Sequence, residues 1–151
     1  MEILEYFSLS ANRQAYWSDR IAEGDWRAAP YLAAHLQKET FQHRYGPNGK
    51  VFLLTDEESL ISFCTLVPQD EIKDDTLLPW IGFVYTFPAY RGRRYSETVI
   101  NHACAAARDE GHKTIYLTSD EEGLYEKYGF TSMGYRDTME GHKTQVFYRE
   151  L

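Results

Sequence analysis

The sequence predicts one mixed α/β domain (α+β in some schemes), with a central sheet of about six to seven strands flanked by about four helices. Its 151 residues are a typical length for a single compact domain. A hydrophobic content of 43% and an aromatic content of 15% are typical of a chain that buries a core. Extended and helical patterns alternate along the chain, which favours a sheet with helices packed on it. We therefore treat residues 1–151 as one domain.

The first half of the chain predicts a strand, two helices and a hairpin. ILEYF at 3–7 has the composition of a strand, and residues 11–23 and 27–43 carry apolar side chains at helical intervals. VFLLT at 51–55 and LISFCTLV at 60–67 are two strands joined by a short polar turn. The predicted sheet therefore begins with antiparallel pairing.

The second half predicts a strand, helix and strand unit. The run LLPWIGFVYTF at 77–87 is apolar on both faces, which indicates a strand in the centre of the sheet. A helix from about Arg93 to Glu110 and a strand at 113–119 follow. A right-handed crossover then makes the two strands parallel neighbours, one containing residue 84 and the other residue 116. The chain ends with a short helix at 123–128 and strands at 130–136 and 143–150.

Composition and charge argue against several classes of function. A formal charge of −7 at pH 7 argues against a nucleic-acid partner. No apolar run has the roughly 18–20 residues of a membrane span, and the first residues lack the pattern of a signal peptide. We expect a soluble, cytoplasmic protein that does not insert in membranes. Cys64 and Cys104 lie among apolar neighbours and predict buried thiols, and no CxxC or HExxH spacing indicates a metal site.

The stretch FPAYRGRRYSE at 87–97 concentrates positive charge in this acidic chain. It lies between the predicted central strand and the first turn of a helix, where free backbone N–H groups and the helix dipole favour an anion. Arg91, Arg93 and Arg94 add charge there, and Gly92 permits a tight loop. The pattern predicts a phosphate site. The alternative is a solvated cluster paired with acids such as Glu97.

This stretch resembles the pyrophosphate loop of the GNAT superfamily of acyl-CoA N-acyltransferases. The loop pattern is Gln or Arg, two residues, Gly, one residue, then Gly or Ala. LYEKYGF at 124–130 resembles the second motif of the same superfamily, in the expected order and spacing. Two positions depart from the first motif, because Arg94 stands where a second glycine is expected and Ser96 where Gly or Ala is expected.

The resemblance implies a GNAT-like domain and an enzyme, an acetyl-CoA-dependent N-acetyltransferase. Acetyl-CoA would be its cosubstrate, with direct transfer to the amine of a small molecule or peptide. Dimers are common in the superfamily, so a homodimer is one expectation. The alternative is a catalytically degenerate CoA-binding sensor, which the departures in the loop and the absence of an acid from the central strand motivate.

The resemblance also implies which residues hold the cofactor. Strand backbone would bind the pantetheine arm, and an N–H near Val84 or Tyr85 would donate to the thioester oxygen. The adenosine diphosphate end would rest on the arginine loop. The predicted cofactor residues are Val84, Tyr85, Thr86, Arg91, Gly92, Arg93, Arg94, Tyr95 and Ser96.

Tyr125 corresponds to the superfamily tyrosine that often protonates the departing thiolate. The alternative is an aromatic side chain that only packs against the sheet. Many superfamily members place a glutamate base on the central strand, but residues 77–87 contain no acid. Asp120, with Glu121 and Glu122, is the candidate base, since it follows a parallel strand at its carboxyl end. A solvated acidic loop is the alternative there.

The sequence does not identify the acceptor. Aromatic side chains of the central strand and of the N-terminal helices are candidates to line its pocket, although such residues more often belong to a core. These candidates are Trp80, Tyr85 and Phe87 on the strand, and Tyr16, Trp17, Trp26 and Tyr31 in the N-terminal region.

Overall fold

A seven-stranded mixed sheet with helices on both faces forms the protein. The computed structural model describes all residues from Met1 to Leu151. The strands are β1 (Glu2–Glu5), β2 (Lys50–Asp56), β3 (Ser59–Val67), β4 (Trp80–Thr86), β5 (Thr114–Ser119), β6 (Thr131–Asp137) and β7 (Lys143–Glu150). The helices are α1 (Ala11–Ala22), α2 (Ala28–Gln37), α3 (Phe41–Tyr45), α4 (Tyr95–Asp109) and α5 (Leu124–Lys127), with single 3₁₀ turns at Tyr6–Ser8 and Pro88–Tyr90.

The strand order is β1-β2-β3-β4-β5-β7-β6, and only β4 and β5 are parallel. Their pairing is limited to one register pair, Trp80 with Tyr116. Residues 84 and 116 therefore lie on neighbouring parallel strands, as predicted, and the two strands separate directly after Trp80. On its other edge β4 contains a bulge, and Phe83 there has a φ of 48°. A bulge bends a strand and increases its twist, which accounts for the separation.

Each face of the sheet has its own core. Helices α1, α2 and α3 cover one face, where Trp17 and Trp80 are fully buried. Helices α4 and α5 cover the other face, where Ile100 and Phe147 are fully buried. Both cysteines are free and buried in this second core, as predicted. None of the helices combines the length and apolar character needed to cross a membrane.

The structure confirms the predicted fold class, hairpin and last strand, but two elements differ from the prediction. The predicted helix at 27–43 is two helices, because Glu39 has a φ of 59°, which ends α2 and separates it from α3. The first strand stops at Glu5, whose side chain accepts a hydrogen bond from the Phe7 N–H and starts a 3₁₀ turn. In both cases a single local conformation overrides the apolar pattern.

We expect Ile100→Ala to lower the free energy of unfolding by about 2–5 kcal/mol, because it leaves a cavity in the second core. Thr98→Ala is the matched control, since Thr98 is exposed on the same helix; it should change that free energy by no more than about 0.5 kcal/mol. Urea unfolding measures both. Equal losses would contradict the assignment of this face of α4 to the core.

Candidate active site

The separation of β4 from β5 opens a cavity of about 1230 Å³. Residues 81–86 of β4 form one side, and residues 117–121 at the end of β5 form the other. The rest comes from the loop between α1 and α2, the start of α2, the end of α3, the loop between β3 and β4, Arg91, the first turns of α4 and α5, and Glu140 between β6 and β7. Ligands of sheets with parallel strands bind at the carboxyl ends of those strands, which is where this cavity lies.

The predicted cofactor strand forms a wall of the cavity. Val84, Tyr85 and Thr86 all line it. Their edge toward β5 has no strand partner, since β4 pairs with β5 only at Trp80. The opposite edge is fixed by β3, where the Ser62 hydroxyl donates to the Tyr85 carbonyl at 2.6 Å. The strand therefore presents backbone polar groups to the cavity without being free to shift.

Arg91 faces the cavity from the arginine loop. Its Nε donates to the Thr86 carbonyl at 2.9 Å, and its Nη2 lies 2.9 Å from Oδ1 of Asp25. The guanidinium is therefore held beside the end of β4. Ser96, in the first turn of α4, also lines the cavity and shares a 2.9 Å hydrogen bond with the Tyr128 hydroxyl.

The side chain of Arg94 does not line the cavity. Its guanidinium pairs with Glu97 at 2.8 and 3.1 Å and lies over the Tyr128 ring. Its backbone has a φ of 59°, a left-handed conformation that favours glycine, and it precedes the first residue of α4. This conformation explains why the loop pattern has glycine here. Gly92, Arg93, Arg94 and Tyr95 belong to the loop or the start of α4 but do not line the cavity.

Tyr125 lines the cavity and also packs in the second core, with Tyr128, Phe130 and Phe147 around its ring. Burial, with a smaller contribution from the charge of Glu121, raises the pKa of its hydroxyl. Tyr125 therefore holds its proton at neutral pH. The catalytic interpretation and the packing alternative both agree with this placement.

Asp120 follows β5 and lines the cavity, where its Oδ1 accepts a hydrogen bond from the Thr144 hydroxyl at 3.3 Å. Glu121 also lines the cavity, whereas Glu122 does not. The structure thus brings two of the three predicted acids to the site.

Sequence reasoning missed Asp70. This residue of the β3–β4 loop lines the cavity, and its Oδ1 accepts from the Glu71 N–H at 2.8 Å. Its Oδ2 is inaccessible to solvent and has no hydrogen-bond partner. Burial, followed by the negative charge of Glu71, raises the pKa of Asp70 to about 7. The available indication was Gly82 inside an apolar strand, since such a glycine often marks a close approach by another group.

Hydrogen bonds and ring stacking join the loop between α1 and α2 to the central strand. The Tyr85 hydroxyl donates to Oδ1 of Asp25, and the Asp25 N–H donates back to that hydroxyl at 2.8 Å. The Trp26 ring stacks on Tyr85 at an interplanar angle of 9°. The hydrogen bond from Tyr85, followed by that from Arg91, lowers the pKa of Asp25. The α1–α2 loop is therefore fixed against the cavity wall.

The cavity wall combines aromatic rings and acids. Of the predicted acceptor contacts, Trp26, Tyr31 and Tyr85 line it. Trp17 and Trp80 are buried in the first core, and Tyr16 and Phe87 also lie outside the lining. The acids are Asp25, Asp70, Glu71, Asp120, Glu121 and Glu140, and the bases are Arg27, Arg44 and Arg91. The wall is negatively charged, which favours a cationic ligand.

Comparison with solved structures finds the same fold in several acetyltransferases. The aminoglycoside 6'-N-acetyltransferase from Enterococcus faecium has a TM-score of 0.72 at 15% identity, over 99% of this chain and 97% of that one. An aminoglycoside 6'-N-acetyltransferase complexed with coenzyme A has a TM-score of 0.70, with the same identity and coverage. A GNAT family acetyltransferase from Elizabethkingia anophelis with acetyl-CoA bound has a TM-score of 0.67 at 14% identity, again over 99% and 97%.

None of the curated proteins compared matches the sequence. The sequence model of the acetyltransferase (GNAT) family matches residues 12–130, which span most of the chain, both resembling motifs and the strands that form the cavity. The chain therefore belongs to the acetyltransferase (GNAT) family.

Proposed function

We propose that the protein is an acetyl-CoA-dependent N-acetyltransferase that transfers acetyl directly to the amine of a small molecule or peptide. The observation that carries this proposal is the gap between β4 and β5, a cavity lined by the predicted cofactor strand, Arg91, Ser96 and Tyr125. Family membership supports acetyl transfer, and structures of the same fold contain coenzyme A or acetyl-CoA.

In this proposal, the cofactor takes the place of the missing strand partner of β4. The pantetheine arm binds the free edge at Val84, Tyr85 and Thr86, and the pyrophosphate binds at the start of α4, where helix N–H groups lack partners. An N–H of Val84 or Tyr85 donates to the thioester oxygen and stabilises the negative charge that develops on it. Arg91 supplies positive charge between the two sites. Arg94 contributes only its backbone to the binding of the pyrophosphate.

Tyr125 is the proposed acid for the departing thiolate. An ordinary thiol has a pKa of about 8.5 and a tyrosine one of about 10. Burial raises the pKa of Tyr125, and it would also raise the pKa of a thiol leaving group in the same cavity. The tyrosine thus gives its proton only when charge develops on sulfur.

The acceptor site is proposed to lie between the α1–α2 loop and the acidic wall. Trp26 and Tyr31 supply apolar faces, while Asp70 and Glu71 supply negative charge. Together they favour a small molecule or peptide segment that carries more than one amine. The aminoglycoside acetyltransferases of the same fold act on acceptors of this kind, which supports the proposal.

Turnover is tested by thiol release from acetyl-CoA with 1,4-diaminobutane, spermidine, an aminoglycoside and a lysine peptide. We expect release with at least one of these amines. Failure to bind acetyl-CoA at millimolar concentration in a calorimetric titration would contradict both acetyl transfer and the sensor. Tight binding with no turnover on any amine would favour the CoA-binding sensor.

Tyr125→Phe should lower kcat by about 10²-fold, because it removes the proton donor for the thiolate. The dissociation constant for coenzyme A should change little, since the ring still packs in the second core. Tyr135→Phe is the control, because Tyr135 is exposed and lies outside the cavity. Unchanged kcat in Tyr125→Phe would leave Tyr125 with a packing role only.

Arg91→Ala should weaken coenzyme A binding by about tenfold or more, a loss typical of one charge-assisted contact. Arg94→Gly should leave the affinity within about threefold of the wild type, since the Arg94 guanidinium is paired with Glu97 outside the cavity. Calorimetry measures both dissociation constants. The reverse order would show that Arg94, and not Arg91, contacts the phosphates.

A further inference from the structure

We propose that the carboxylate of Asp70 is the general base that takes the proton from the acceptor amine, an inference that rests on the proposed N-acetyltransferase function. A primary amine is mostly protonated at pH 7, and only its neutral form attacks a thioester. The central strand of this chain has no acid for that purpose. The structure supplies a carboxylate at the strand from another segment.

The position of Asp70 depends on the glycine in β4. A Cβ at position 82 would lie only 2.2 Å from the Asp70 Oδ2 atom and 3.0 Å from the Thr65 hydroxyl. Only glycine leaves room for a carboxylate there. The β3–β4 loop thus places directly on the strand an acid that the strand itself lacks.

Asp70 is also close to the proposed reacting centre. Gly82 precedes Val84 by two residues, and a regular strand rises about 3.3 Å per residue, so at most roughly 7 Å separates the two positions across the bulge at Phe83. Both residues line the same cavity. An amine and one water molecule fit within that distance. Because Oδ2 is inaccessible to solvent, the proton would reach the carboxylate at Oδ1, directly from the amine or through a water.

The carboxylate is held in place but not neutralised. The Glu71 N–H fixes Oδ1, while Oδ2 and the Thr65 hydroxyl are buried without partners. The charged or titratable groups that act on Asp70 are Glu71, Arg44 and Tyr45. Glu71 raises its pKa and Arg44 lowers it, and burial dominates both, with the result of about 7. Such a group is partly ionised at neutral pH and accepts a proton readily.

The complete step is balanced. Asp70 takes one proton from the ammonium group, and the neutral nitrogen then forms a bond to the thioester carbon. The carbon–sulfur bond then breaks, and Tyr125 gives its proton to the sulfur. The nitrogen loses its second proton to Tyr125, which restores the tyrosine hydroxyl. The products are the amide, the free thiol of coenzyme A and one proton, which Asp70 releases to solvent.

Asp120 is the competing candidate, because it lines the same cavity. It is exposed and already accepts a hydrogen bond from Thr144. Asp70 is the more buried acid, and it is the one with a carboxylate oxygen against β4. We therefore assign the base to Asp70.

The test compares Asp70→Asn, Asp120→Asn and Asp75→Asn in the holoprotein with saturating acetyl-CoA, using whichever of the four amines the wild type acetylates fastest. Asp75 is exposed in the same loop and lies outside the cavity, so its variant is the matched control. We measure kcat and kcat/KM for the amine from pH 5.5 to 9.

For Asp70→Asn we expect kcat at pH 7 to fall by about 10²-fold, with the dissociation constant for coenzyme A unchanged. The wild-type profile should level off above an apparent pKa near 7. In the variant, kcat/KM should instead keep rising about tenfold per pH unit, since only the neutral fraction of the amine reacts. Asp75→Asn should stay within about threefold of the wild type, and Asp120→Asn should keep the wild-type shape of the pH profile.

The assignment of Asp70 as the base would be overturned if Asp70→Asn kept the wild-type shape of the pH profile. It would also be overturned if Asp120→Asn lost that shape. An absence of turnover in the wild type would instead overturn the proposed function and this inference with it.

Thermal unfolding separates a catalytic from a structural role. The pKa of Asp70 is raised from 3.8 to about 7 by folding, so ionisation of this buried group costs stability as the pH rises through that window. Asparagine carries no charge, and Asp70→Asn should therefore unfold at a higher temperature than the wild type at pH 8, with an advantage that shrinks as the pH falls below 7 and is gone below about pH 3.8. A lower unfolding temperature at pH 8, together with weaker coenzyme A binding, would show that Asp70 is structural.

Discussion

The single pairing of Trp80 with Tyr116 is the constraint on which the site depends. It holds β4 and β5 together at one end, where Trp80 is fully buried and its Nε1 donates to the Leu77 carbonyl at 2.7 Å. Beyond this point the bulge at Phe83 turns β4 away. Backbone groups need partners, and a strand edge with none is a binding surface for a ligand rich in amides. In the proposed function, the pantetheine arm is the ligand that binds there.

Side chains from distant parts of the chain converge on β4. Asp25 reaches Tyr85 and Arg91 from the α1–α2 loop, and Asp70 reaches Gly82 from the β3–β4 loop. The pair of Arg91 with Asp25 is about half exposed, and an ion pair of that kind contributes roughly 0–1 kcal/mol. A phosphate can therefore replace Asp25 as the partner of Arg91 at little cost. Asp70 is different, because its buried oxygen has no partner to give up.

Much of the architecture was predictable from local patterns. The hairpin of β2 and β3 and the last strand follow apolar runs bounded by polar turns, and α4 follows a regular spacing of Val99, Ile100 and Ala103. Where the prediction was wrong, one residue adopts a conformation that composition does not reveal. Glu39 with its positive φ divides a helix that the pattern predicts as continuous. The bulge at Phe83, beside which β4 separates from β5, is another conformation that composition does not reveal.

The sequence by itself determined the fold class, the family resemblance and the arginine loop, because each depends on residues close together in the chain. Only the tertiary structure decided what that loop does with its charges: Arg91 faces the cavity while Arg94 turns to Glu97. It also decided that Asp70, in a polar loop of ordinary composition, places a carboxylate oxygen that solvent does not reach against Gly82 of the central strand. Burial and the pKa shift that it causes arise from contacts between residues far apart in sequence, so no local pattern contains them.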